Sequence, residues 1–89
     1  MTGKLNARKV ETLTKPGRYA DGGNLYLRIS PNGGKRWMFF YRFGGKRRDM
    51  GLGSAAKGGV SLAEARQKAD AARAILRSGT DPMAIMGDE

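Results

Sequence analysis

Between residues 24 and 53 the chain alternates apolar with polar side chains, and this period of two predicts β-strands that bury one face. Three runs carry the pattern: Leu25, Leu27 and Ile29 against Tyr26 and Arg28; Trp37, Phe39, Tyr41 and Phe43 against Arg36, Met38, Phe40 and Arg42; and Arg48, Met50 and Leu52 against Arg47 and Asp49. The runs predict an antiparallel sheet with one apolar face and one cationic face.

Two glycine-containing connections join these runs and predict how the strands pair. Gly44-Gly45 is a two-residue hairpin signal, because both central positions of a type I′ turn need positive φ. It predicts the pairs Phe43–Lys46, Arg42–Arg47, Phe40–Asp49, Phe39–Met50 and Trp37–Leu52. The longer loop of residues 30–34 predicts the pairs Ile29–Trp37, Leu27–Phe39 and Leu25–Tyr41. Both registers keep the apolar side chains on one face, which a slip of one residue would reverse.

A helix follows the sheet. Ser61 and Glu64 have the spacing of a capping box, and Gly79 with the Asp81-Pro82 pair predicts the end of the helix near Arg77. Leu62, Ala65, Ala69, Ala72 and Leu76 lie three or four residues apart and form one apolar face. That mostly alanine face lets the helix lie close to a sheet whose inward side chains are large.

The segment before the sheet is basic and weakly patterned. Asn6 could cap a short helix over residues 7–12, with Leu5, Val10 and Leu13 against the core. A basic arm along a phosphate backbone is a compatible alternative. Residues 14–24 contain Pro16-Gly17 and are predicted to be loop.

The predicted fold is α+β: a three-stranded antiparallel sheet packed on one C-terminal helix, with the short N-terminal helix as an optional addition. The predicted boundaries are a basic segment and loop at 1–23, a β-β-β-α domain at 24–82, and the start of a linker to further domains at 83–89.

Composition narrows the function. The 17 Lys and Arg exceed the eight Asp and Glu by nine charges, which favours an anionic partner such as nucleic acid. The chain has no cysteine and no histidine, so a disulfide, a thiolate metal site and the commonest general base are excluded. The acids stand at no spacing that supports catalysis. We therefore expect no catalytic residue, metal, cofactor or small-molecule substrate in this chain.

No apolar run approaches the roughly 18 residues that a membrane-spanning helix needs, and the N-terminus is charged where a signal peptide is apolar. The expected location is the cytoplasm, and no membrane partner is expected.

The cationic face is the candidate binding site, and double-stranded DNA is the predicted partner. A sheet about three strands wide fits the major groove, where arginine can make bidentate contacts to guanine. Base or near-base contacts are assigned to Arg28, Arg36, Arg42 and Arg47, and apolar groove contacts to Tyr26 and Phe40. Lys35, Lys46 and Arg48, at strand ends or edges, are assigned to phosphates.

Three other interpretations stay open. Tyr26 and Phe40 could be stacking platforms of an RNA-binding module, or the patch around Met38 and Phe40 could contact another protein subunit. Tyr26, Met38 and Phe40 could also be ordinary exposed side chains. Four helix cations are expected on a solvated face: Arg66, Lys68, Arg73 and Arg77.

Several motifs in this order resemble a known family. They are Asp21-Gly22-Gly23 before Leu25-Tyr26-Leu27, Lys35 before Trp37, Phe39-Phe40-Tyr41-Arg42, Leu52-Gly53, Ser61-Leu62-Ala63-Glu64-Ala65-Arg66, and Gly79-Thr80-Asp81-Pro82. Over residues 5–82 the chain resembles the N-terminal arm-type DNA-binding domain of bacteriophage-like tyrosine recombinases, the integrases. Two positions depart from the family: Phe40 stands where a polar or basic residue is commoner, and residues 54–59 replace a frequent aromatic-proline pair.

The resemblance implies a three-stranded sheet backed by one helix, whose open face enters the major groove of arm-type sites that flank the recombination core. It also implies an integrase whose later domains carry the tyrosine nucleophile and mediate prophage or genomic-island integration and excision. Other integrase subunits would be further partners, and the bound protein would be associated with the bacterial nucleoid.

Overall fold

The computed structural model describes residues 5–56 and 58–86 and shows an α+β fold. Four strands form one antiparallel sheet in the order β1-β2-β3-β4. The elements are α1 (Ala7–Thr12), β1 (Gly17–Gly22), β2 (Leu25–Ile29), β3 (Lys35–Phe43), β4 (Lys46–Ser54), α2 (Leu62–Arg77) and α3 (Pro82–Met86). Helix α2 packs over β2, β3 and β4. We call the sheet face under α2 the helix side and its opposite the open face.

The prediction of three strands was wrong, because β1 lies in the segment interpreted as a loop. Strand β1 joins β2 through a two-residue turn at Gly23 and Asn24, whose φ angles of 60° and 73° are both positive, as a type I′ turn requires. Gly22 pairs with Leu25, and the register shifts between Ala20 and Gly22. The fourth strand therefore extends the sheet beyond β2.

The β3–β4 hairpin confirms most of its predicted register. Gly44 and Gly45 have φ angles of 60° and 77°. The observed pairs Phe43–Lys46, Arg42–Arg47, Phe40–Asp49 and Phe39–Met50 match the prediction. The predicted pair Trp37–Leu52 was wrong: the register shifts between Trp37 and Met38, so that Trp37 pairs with Gly53. Leu52 is the extra residue of a bulge, and it remains buried at 6% exposure.

The predicted β2–β3 register was wrong by two residues. The observed pairs are Leu25–Phe39, Leu27–Trp37 and Ile29–Lys35. The loop is tighter than predicted, because the Ser30 amide donates to the Gly34 carbonyl at 2.8 Å and pairing resumes at the next residue. A shift of two residues preserves the alternation of faces, so the apolar side chains still lie on the helix side.

The core lies between the sheet and α2, as the patterns predict. Trp37, Phe39, Leu25 and Leu27 have no exposed surface, and neither do the facing alanines Ala65, Ala69 and Ala72. The Trp37 indole Nε1 donates to the Val60 carbonyl at 2.8 Å, which satisfies the buried ring.

Both ends of α2 match the prediction. Ser61 and Glu64 form the capping box, with the Glu64 amide 3.2 Å from the Ser61 hydroxyl and the Ser61 amide 3.0 Å from the Glu64 carboxylate. Gly79 follows the helix with φ 91°. Helix α3 then begins at Pro82. None of the helices in the described part of the chain is long and apolar enough to cross a membrane.

The short N-terminal helix is present and packed. Asn6 accepts from the Lys9 amide at 2.8 Å, and Leu5 and Val10 join the core at 7% and 8% exposure. Residues 1–4 of the predicted basic segment and residues 87–89 of the predicted linker lie outside the described residues.

Candidate nucleic-acid interface

The open face carries rows of side chains that the strand register sets side by side. Arg18, Arg28 and Arg36 occupy paired positions on β1, β2 and β3. The next row along the strands contains Tyr26 and Met38, followed by Phe40 opposite Asp49 and Arg42 opposite Arg47. The face therefore has an aromatic centre with arginines at both ends.

The aromatic centre is itself packed. The Tyr26 and Phe40 rings meet edge to face, with centroids 4.8 Å apart and planes at 74°. The Arg18 guanidinium carbon lies 5.3 Å from the Phe40 ring centroid, within the range of a cation–π interaction. Met38, interpreted as an exposed side chain, is only 8% exposed. Of the three apolar side chains predicted to be exposed here, Met38 is buried and Tyr26 and Phe40 are half-buried, so the exposed apolar surface is smaller than the sequence suggests.

Like charges lie in direct cross-strand contact positions on this face. Arg18 pairs with Arg28, Arg28 with Arg36, and Arg42 with Arg47, an arrangement that destabilises a sheet. Within the described strands, Asp49 is the one acid at an open-face position. A surface that keeps several arginines together despite their repulsion favours an anionic partner.

Two of the side chains predicted to contact phosphates, those of Lys35 and Arg48, point to the helix side. The Lys35 ammonium donates to the Val10 carbonyl at 2.7 Å and to the Glu11 carbonyl at 3.0 Å, at the C-terminal end of α1. Arg48 lies opposite Tyr41 on the helix side, and its Nη1 is 3.7 Å from an Asp81 carboxylate oxygen. The alternation of the strands explains both positions, because Lys35 pairs with Ile29 and Arg48 with Tyr41, and both partners lie on the helix side.

The other predicted site residues separate into a group and a single position. Six lie together on the open face: Tyr26, Arg28, Arg36, Phe40, Arg42 and Arg47. Lys46 lies at the tip of the β3–β4 hairpin, exposed beside the Gly44-Gly45 turn.

Sequence reasoning counted Arg18 among the cations of the basic arm and did not place it on the sheet, because residues 14–24 were interpreted as loop. The available signal was Gly23-Asn24, a dipeptide that suits a two-residue hairpin between paired strands. A regular hairpin at that point would pair Arg18 with Ile29, and the shift of register between Ala20 and Gly22 moves Arg18 opposite Arg28.

Two of the four α2 cations expected on a solvated face, Arg66 and Arg73, have acidic partners. Arg66, interpreted as part of a solvated face, donates from Nε to the Asp21 carboxylate at 2.9 Å. Arg73 donates to the Gly23 carbonyl and to Asp70. Both thereby attach α2 to the β1–β2 hairpin. Within residues 5–56 and 58–86, no cluster of three acids could hold a metal ion.

Comparison with known proteins identifies the family of this fold and surface. The family model described as an arm DNA-binding domain matches residues 5–86. The chain belongs to the arm DNA-binding domain family. This membership confirms the resemblance found in the sequence, and the match extends through α3.

Two of the proteins to which this chain is similar are named integrases. The chain is 41% identical over 85 residues to the integrase of Enterobacteria phage P4, covering 92% of this chain and 19% of that protein. It is 38% identical over 69 residues to the integrase of Shigella phage Sf6, covering 78% and 17%. It is also similar, at 40% identity over 58 residues, to the putative protein IntB of Escherichia coli K12. The chain spans less than a fifth of the length of each.

Proposed function

We propose that this arm DNA-binding domain recognises a specific double-stranded DNA sequence through the open face of its sheet, and that it anchors an integrase at arm-type sites. The observation that carries the proposal is the arrangement of arginines at both ends of an aromatic centre on the face that α2 leaves uncovered.

The dimensions of the face suit the major groove of B-DNA. Strands β2 to β4, which carry the proposed contacts, lie about 4.8 Å apart, so this part of the sheet is about 10 Å wide between outer strand axes. The groove is about 12 Å wide and accepts a β-ribbon. Arg36 and Arg42 are six residues apart on β3, which is about 20 Å of extended chain and about six base pairs of duplex.

We assign the proposed contacts by the position of each residue on the sheet. Arg28, Arg36, Arg42 and Arg47 share the open face, so they are proposed to reach base edges or the adjacent backbone, with Tyr26 as an aromatic surface between them. Lys46 at the hairpin tip is suited to a phosphate. Lys35 and Arg48 already have protein partners, so we assign them a structural role first.

In a complete integrase such a domain would act as a tether. A second DNA-binding module raises the local concentration of the catalytic part at a distant core site on bent DNA. Integration and excision would both use the anchor, and neighbouring integrase subunits would be further partners.

The proposed function is tested by equilibrium binding of the 89-residue chain to fluorescent nucleic acids. A duplex recovered from a randomised pool is compared with single-stranded RNA at 50 and 200 mM salt. We expect the duplex to bind more tightly and, with about six phosphate contacts, to lose on the order of 10³ in affinity across that range. A preference for RNA would support the stacking module instead. Affinity that ignores salt would support the protein-interaction alternative.

The variant Arg42→Ala separates base reading from charge. A base contact should cost about 1–3 kcal/mol on the recovered site and little on an unrelated duplex of equal length. An equal loss on both duplexes would assign Arg42 to a phosphate.

A further inference from the structure

Arg18 belongs to the binding face by its place in the sheet. It lies on β1, pairs with Arg28, and is exposed on the same face as Arg36 and Arg42. Within the described residues it forms no ion pair with a carboxylate, whereas Arg48, Arg66 and Arg73 each do. Its positive charge is therefore available to a ligand.

The Arg18 side chain is held in place by an aromatic ring instead of an acid. Its guanidinium stacks 5.3 Å from the Phe40 centroid, and Tyr26 supports Phe40 edge-on from 4.8 Å. An exposed arginine ordinarily loses side-chain entropy when a ligand immobilises it. A stack formed before binding removes part of that loss, and it leaves the charge of the guanidinium intact.

The surface around the stack is concave on two sides. One depression of about 610 Å³ contains Arg42 and Arg47, and another of about 530 Å³ contains Arg28 and Pro31. Arg18, Phe40 and Asp49 line both depressions. The Arg18–Phe40 contact therefore borders both depressions, with Arg42 and Arg47 in one and Arg28 in the other.

We propose that Arg18 contacts DNA directly, and that Phe40 is a positioning residue that holds the Arg18 guanidinium, instead of a groove contact in its own right. The inference rests on the proposed function and names a residue pair within that binding site. It accounts for an aromatic residue at the centre of a cationic face, because the Phe40 ring gives the Arg18 guanidinium a defined orientation.

The experiment is a double-mutant cycle on the duplex that the wild-type chain recovers from a randomised pool. Arg18→Ala should weaken binding about tenfold, within the range for a base contact. Phe40→Leu keeps apolar volume but removes the π face, and should weaken binding about twofold to fivefold. Phe40→Tyr keeps the π face and should retain the wild-type affinity. In the Arg18→Ala background, Phe40→Leu should have no further effect.

Arg77→Ala is the matched control, because it removes an exposed arginine from the end of α2. Its affinity should remain within about twofold of the wild type, and thermal melts of all variants show whether the fold is retained. Arg18→Ala at wild-type affinity would overturn the inference while duplex binding by the wild type upholds the proposed function. Additive losses in the cycle would assign Phe40 to a direct DNA contact. Failure of the wild-type chain to bind any duplex would overturn both.

Discussion

The Asp21 carboxylate is the fully buried charged group among residues 5–56 and 58–86. It accepts from Nε and Nη2 of Arg66 and from the Leu5 amide, each at 2.9 Å. Arg66 Nη2 also donates to the Leu5 carbonyl at 2.9 Å. The hydrogen bonds that Arg66 donates to Asp21 raise the pKa of Arg66. One ion pair thus joins β1, α2 and Leu5, which lies two residues before the start of α1.

We expect Asp21→Asn to lower the free energy of unfolding by about 3 kcal/mol, because it leaves the Arg66 guanidinium without its counter-charge. The loss should fall at the lower end of the range for buried pairs, since the Arg66 side chain is 33% exposed. Urea denaturation measures it. Asp70→Asn is the control, because that carboxylate is 71% exposed and its pairing with Arg73 should contribute less than about 1 kcal/mol. Equal stability of the two variants would contradict the prediction.

At the scale of elements, the sequence predicted what strong local patterns encode. Gly44-Gly45 encodes its turn directly, since both residues adopt positive φ. Strand β1 was missed because its residues, such as Gly17, Ala20 and Asp21, have weak β-propensity and pair only when β2 is present. Gly51 and Gly53 flank the Leu52 bulge and are a local sign of it that the predicted register did not use. A Cβ on Gly53 would lie 2.7 Å from Val60 Cγ2.

The same distinction applies to the binding face. Alternation placed Arg28, Arg36, Arg42 and Arg47 correctly together, since a face depends only on the parity of the register. It could not reveal that Lys35 would bind the end of α1, because that contact joins segments 24 and 25 residues apart.

Asp81, the residue before α3, binds both strands of the β3–β4 hairpin, through a hydrogen bond from Tyr41 and an ion pair with Arg48. The Tyr41 hydroxyl donates to the Asp81 carboxylate at 2.5 Å, and the same carboxylate oxygen accepts from the Met83 amide at 3.0 Å. Burial, reinforced by Asp81, raises the pKa of Tyr41 to about 12. The Tyr41 hydrogen bond lowers the pKa of Asp81. The bond needs a protonated tyrosine and an ionised aspartate.

This bond predicts a stability difference between the wild type and Tyr41→Phe that vanishes at both ends of the pH scale. The folded-state pKa of Asp81 is lowered, so its contribution is complete above the unfolded value of 3.8 and is lost as pH falls through the folded value. The folded-state pKa of Tyr41 is raised, so its contribution is complete below pH 10.0 and is lost as pH rises toward about 12. Urea denaturation of both proteins, from below pH 3.8 up to about pH 12, measures the difference. A difference independent of pH would contradict the assignment.

At the scale of the whole molecule, positive charge is separated by function. On the helix side, Lys35, Arg48 and Arg66 bind carbonyls or carboxylates of the protein and hold elements together. On the open face, Arg28 and Arg47 are exposed beside other arginines. The excess of nine positive charges therefore overstates the general attraction to polyanions, and the position of each charge decides its role.

Charge reversal at two exposed positions tests this separation directly. Arg47→Glu on the open face and Lys68→Glu on the outer surface of α2 each lower the net charge of +9 by two. At 0.15 M salt the Debye length is about 8 Å, so a charge beyond the helix is largely screened from DNA bound at the sheet. Arg47→Glu should therefore weaken duplex binding at least about tenfold more than Lys68→Glu, measured by fluorescence anisotropy with both melts compared to the wild type. Equal losses would mean that net charge, and not the open face, governs binding, because only a diffuse field treats the two positions alike.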